Sequence, residues 1–190
     1  MSKKLVLLLA LVMSFSLVAF GCGGGKTKIE VKTPEQAAKM EGDPVQNLAV
    51  KEKEWLGRLD AVRGDISKSY SEWEQGKTTK EDFMNQLKKS NGTVRGMSKE
   101  YDLHMEANPF PADRKNEEFY KDGLAYGNKL RKTANDFIFM ATEGILDTQT
   151  KKLKPLTDEQ IKGLYQNYMV NKYDEYRAKL VPALDKVNKK

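Results

Sequence analysis

One cysteine and one histidine in 190 residues exclude the common centres built on several of either before any element is assigned. A lone Cys22 has no partner for an intramolecular disulfide and no companion thiolate for a zinc site. A lone His104 cannot build the usual histidine metal centres. The Glu-x-x-His pairs of diiron bundles need two histidines, and Tyr101 stands where the motif would put its glutamate. A Cys-x-x-Cys-His haem attachment site and a Gly-x-Ser-x-Gly nucleophile elbow are both absent. Aspartates and glutamates are plentiful, but almost all fall at helix starts and outward positions, so a paired-carboxylate hydrolase has no warrant. The sequence therefore assigns no catalytic residue, no metal ligands and no cofactor, and His104 reads as a structural histidine on an inner face. Blocks of like charge are missing as well. The 33 Lys and Arg against 27 Asp and Glu give +6, or +4 without Lys3 and Lys4, and they are mixed along the chain. Nucleic acid, which demands a clustered basic face, is not an expected partner.

What is present is concentrated at the start. Lys3 and Lys4 precede an apolar run from Leu5 to Phe20, broken only by Ser14 and Ser16. A charged start followed by such a run is the pattern of an export signal. The run falls short of the roughly 20 residues that cross a hydrocarbon core comfortably, and glycines follow it instead of a basic flank. It ends in Val18-Ala19-Phe20-Gly21-Cys22. This end resembles the lipobox of bacterial lipoproteins, with Gly21 and Cys22 matching, while Ala19 and Phe20 stand where the family prefers leucine and a small residue. The resemblance implies that a dedicated peptidase cuts between Gly21 and Cys22 and that the Cys22 thiol carries a diacylglyceryl group. The mature protein is then held on the extracytoplasmic side of a cell membrane. Burying acyl chains contributes about 0.8 kcal/mol per methylene, which makes such an anchor stable. Gly23, Gly24 and Gly25 supply a flexible tether, and Lys26 and Lys28 suit anionic headgroups. Anionic wall polymers and other envelope proteins are the nearest further partners.

The expected organisation is a signal peptide over 1–21, a lipidated cysteine, tether and short helix over 22–43, and a helical bundle over 44–190. Thr33-Pro34-Glu35-Gln36 opens the short helix, expected at 34–41. Asp43-Pro44 opens the next, whose apolar positions Val45, Leu48, Trp55, Leu59, Val62, Ile66, Tyr70 and Trp73 step by three and four. Only Glu52 interrupts that seam, and the helix is expected over 44–75 with Gly76 as its end. Thr78 with Glu81 predicts a second start, and Phe83, Leu87, Val94, Met97, Tyr101 and His104 keep one phase through Gly92 and Gly96 to about residue 107. Asn108-Pro109-Phe110-Pro111 makes a corner.

A third helix is expected from Asp113 to Thr150, with Phe119, Leu124, Leu130, Ala134, Phe137, Ile138, Ala141 and Ile145 inward. A basic loop over 151–156 follows it. Thr157 and Gln160 start a fourth helix bearing Ile161, Tyr165, Met169, Tyr173, Tyr176, Leu180, Leu184 and Val187, kinked or shortened at Pro182. No strand is expected. The economical fold is all-α, an antiparallel four-helix up-down bundle.

Two functions fit this reading. The first is a non-catalytic binding or scaffolding lipoprotein of the envelope. The second places a small apolar or aromatic ligand between the third and fourth helices. There Tyr165, Tyr168, Tyr173 and Tyr176 would line a groove facing Gly123, Gly127, Ala134, Ala141 and Gly144.

Overall fold

The computed structural model describes residues 39–187. The signal segment, Cys22, the glycine tether and most of the short helix expected over 34–41 lie outside them. Residues 39–41 are described and are not helical. The chain is mostly helical, in the order α1 (Pro44–Glu74), α2 (Lys80–Ala107), α3 (Ala125–Glu143), strands β1 (Ile145–Leu146) and β2 (Leu153–Lys154), α4 (Asp158–Leu164) and α5 (Tyr173–Val187). Helix α1 packs along α2, α2 along α3, and α3 along α5, which also meets α1. Among the described residues no helix is long and apolar enough to cross a membrane.

The three-and-four seams do what their spacing demands. Val45, Leu48, Trp55, Leu59, Val62, Ile66 and Tyr70 of α1 enter one core with Phe83, Leu87, Val94 and Met97 of α2. Leu130, Ala134, Phe137 and Ile138 of α3 join it, with Ile161, Met169, Tyr173, Leu180 and Leu184 from the last helical run. Asp43 caps α1 by accepting from the Val45 amide at 2.8 Å, with Pro44 at the first position. Gly76, at φ +68°, lies two residues past the end of α1.

Three boundaries differ from the sequence reading. The α2 capping box uses Thr79 and Asp82 in place of Thr78 and Glu81: the Asp82 carboxylate accepts from the Thr79 amide at 3.0 Å. Thr78 Oγ1 is instead buried without a hydrogen bond among the described residues. The third helix begins later than Asp113. A single 3-10 turn, Ala112–Arg114, is held where Arg114 pairs with both Glu117 and Asp43, which fastens the corner to the start of α1. Helical structure resumes as a π-helical turn, Phe119–Leu124, that leads into α3.

Helix α3 then stops at Glu143, seven residues before Thr150. Gly144 adopts φ +98°, and a Cβ there would meet the Lys154 carbonyl oxygen at 2.2 Å, so the backbone leaves the helix where only glycine fits. An antiparallel hairpin follows, pairing Ile145 with Lys154 and Leu146 with Leu153, so the expectation of no strand fails here. Asp147 builds its turn by accepting from the amides of Gln149 and Thr150. Ile145, expected inward, is 45% exposed in this ribbon.

The fourth helix starts at its predicted Thr157–Gln160 box. It widens to π-helix over Tyr165–Lys172 and continues through Pro182 to Val187 without being cut short. The wide turn is tied from α1: Arg63 Nε donates to the Met169 carbonyl at 2.9 Å while its NH2 pairs with Asp174 at 2.8 Å.

Candidate functional site

Glu52, the one break in the α1 seam, points inward. It is 1% exposed and meets Arg131 of α3, itself 3% exposed, at 2.8 Å. Arg131 had the same placement to offer, because Leu124, Gly127, Arg131, Ala134 and Ile138 step by three and four along one face. Sequence reasoning does not single it out. Two opposite charges at inward positions of different helices were the available signal.

The pair sits in a polar and aromatic cluster. The second Arg131 nitrogen donates to Asn128 Oδ1 at 2.7 Å, and the guanidinium lies 4.3 Å from the centre of the Tyr101 ring and 5.4 Å from that of Trp55. Tyr101 and His104 both set their rings edgewise to Trp55, at 5.6 and 5.7 Å. The Trp55 indole N–H donates to Glu100 at 3.3 Å, and Arg58 forks onto the same carboxylate. Gly127 makes room for the Glu52 carboxylate: a Cβ there would stand 1.8 Å from Oε1.

One acceptor in the cluster is unsatisfied. Glu52 Oε2 is buried with no hydrogen bond among the described residues. Loss of water around Glu52 pushes its carboxyl above the usual range, and Arg131 opposes that rise without cancelling it. Burial likewise raises the Tyr101 phenol.

His104 shows the opposite shift, with its imidazole lowered by burial first and the Lys51 charge second. Its Nε2 is buried without a partner. Below the ordinary value of 6.5 the unfolded chain therefore takes up the proton first, and stability falls as pH drops from there toward the lower folded value. We expect the stability difference between wild type and His104→Phe to shift against wild type between pH 7 and 5, by up to about 1.4 kcal/mol per unit. Urea unfolding at stepped pH would measure it. A difference that stays constant with pH would show that His104 is hydrated in the folded state.

Arg131 also forms the floor of a cleft of about 460 Å³ between α2 and α3. Arg95, Ser98, Lys99, Tyr101 and Asp102 line one wall, and Asn128, Arg131, Lys132 and Asn135 line the other. Among the described residues no group of three or more His, Cys, Asp or Glu gathers where a metal could be held.

The four tyrosines of the expected groove are not brought to one place. Tyr165 stacks on Tyr70 of α1 at 3.7 Å and meets the Phe137 ring of α3 edgewise at 6.0 Å, and Tyr173 is buried with its hydroxyl donating to Asp60 at 3.1 Å. Tyr168 carries the Lys172 ammonium over its ring at 4.1 Å, and Tyr176 leans toward Tyr126 of α3 at 6.0 Å. The glycines meant to face them have other neighbours: Gly123 abuts Phe119, Gly127 abuts Glu52, and Gly144 abuts Lys154.

Compared with known proteins, the chain matches no family model, no curated protein and no solved structure.

Proposed function

We propose that this chain is a membrane-anchored, extracytoplasmic lipoprotein whose helical body is a non-catalytic binding or scaffolding module of the bacterial envelope. The observation that carries the reading is the basic start, apolar run and terminal Gly21-Cys22 in a chain with no other cysteine. A thiol with no intramolecular disulfide partner and no companion thiolate for zinc is best accounted for by acylation. The helical body fits as an antiparallel up-down bundle. The succession of packed neighbours from α1 to α5 supports that topology, as does the five-residue link between Glu74 and Lys80. The α2–α3 cleft is its binding face. The tyrosine groove is left out because each of its phenols already packs against a separate neighbour.

Growth of a bacterial host on an alkyne-bearing fatty acid tests the anchor. The full chain should take up the label and release it in the peptide that begins at Cys22, and Cys22→Ser should carry none. An unlabelled wild type, or label persisting in the serine variant, would end the proposal.

A further inference from the structure

The cleft between α2 and α3 is strongly biased in charge. Arg95, Lys99, Arg131 and Lys132 line it against a single carboxylate, Asp102. Lys132 is engaged by Asp136 at 2.6 Å and Arg131 by Glu52, but Arg95 and Lys99 have no ion pair among the described residues. These two stand four residues apart on α2, a spacing at which like charges repel across one helical turn. An anion lying between them would remove that repulsion.

The floor is built rather than incidental. Arg131 is almost wholly buried, fixed by Glu52, Asn128 and the Tyr101 ring, and still reaches the cleft. Asn128 is oriented too, since its Oδ1 accepts from Arg131 while its Nδ2 donates to the Tyr101 hydroxyl at 3.3 Å. The Glu52–Arg131 pair is neutral as a unit, but its guanidinium is held in place before binding, which costs a ligand little reorganisation. The volume exceeds what a bare phosphate fills and lies in the range of small-molecule sites. The lining offers amides, two hydroxyls and cations beside the Tyr101 ring and the stems of Arg95, Lys99 and Lys132, which suits a hydroxylated body that also has an apolar face.

We propose that this cleft binds a polyhydroxylated anion, an acidic sugar whose carboxylate or phosphate lies between Arg95 and Lys99 above Arg131 while its hydroxyls meet Ser98, Asn128 and Asn135. The inference rests on the binding-module reading for its function but is independent of the tether. Failure of acylation at Cys22 leaves the titration below unchanged, and failure of the titration leaves acylation intact.

Calorimetric titration of the full chain in neutral detergent at low salt, with glucuronate, glucose 6-phosphate, glucose and inorganic phosphate, tests it and separates a carboxylate from a phosphate source. One or both acidic sugars should saturate one site, with glucose and inorganic phosphate at least about tenfold weaker. Arg95→Gln with Lys99→Gln should weaken the acidic sugar by about tenfold or more, the scale of lost charge-assisted hydrogen bonds. The same ligand should shift the side-chain amide resonances of Asn128 and Asn135 in wild type. The proposal is overturned if neither acidic sugar binds, if glucose or inorganic phosphate binds as tightly, or if the double variant binds like wild type.

Discussion

Replacing Arg131 with methionine should remove about 3–5 kcal/mol of stability, the scale for stranding one partner of a buried ion pair. For a body of this size that loss lowers the melting temperature by roughly 6–20 °C. The cause is the Glu52 carboxylate, which would keep its burial and lose its only hydrogen-bond donor among the described residues. Arg131 also fills space against Trp55 and Tyr101, which is why methionine, with a similar stem, is the informative replacement. Adding Glu52→Leu should restore most of the loss, because the pair offsets its own desolvation only in part and a packed apolar couple does as well. Urea unfolding of wild type, both single variants and the double would give the coupling directly. A single variant within about 1 kcal/mol of wild type would mean that water reaches the carboxylate.

A readable seam did not imply a readable site. The inward positions of α1 and α2 were legible because each follows a rule that involves only its own helix: apolar residues at three-and-four steps, and a side chain able to cap the first amides. The misplaced ends of the third helix obey partners outside that helix. Arg114 is drawn to Asp43, 71 residues earlier, and this delays the third helix beyond its local start signal. By its spacing Gly144 belongs to a small-residue face, because the apolar step continues to Ile145, yet the backbone turns there and lays Ile145 on a ribbon. The sequence did hold a hint, a glycine followed ten residues later by the Leu153-Lys154 partner strand, with Asp147 able to close the turn between them.

Glu52 and Arg131 were hidden differently. Each taken alone is a fault in a helical pattern, and only their meeting across 79 residues turns two faults into one paired feature. The cleft inherits that invisibility, since its floor is the same arginine. The tyrosines show the reverse case. They share one side of a helix in the ordinary count of 3.6 residues per turn, but the π-helical stretch over Tyr165–Lys172 changes the advance per residue. Tyr165 lies between Tyr70 of α1 and Phe137 of α3, Tyr173 turns to α1, and Tyr176 reaches α3.

Gly127→Ala should be destabilising in the native background and stabilising once the buried pair is gone. In wild type the new methyl would lie 1.8 Å from Glu52 Oε1 and 2.5 Å from its Cδ, so the carboxylate has to leave the position from which it holds Arg131. The cost then approaches that of breaking the pair, about 3 kcal/mol. In the Glu52→Ala, Arg131→Met background no carboxylate stands there, and the methyl enters space the carboxylate has vacated. Alanine then contributes its helix propensity, up to about 1 kcal/mol over glycine, together with some refilling of the void. The change of sign is the diagnostic, because a glycine needed for its backbone freedom would resist alanine equally in both backgrounds. Chemical denaturation of the four proteins decides it, and an equal loss in both would show that Gly127 serves the chain and not the carboxylate.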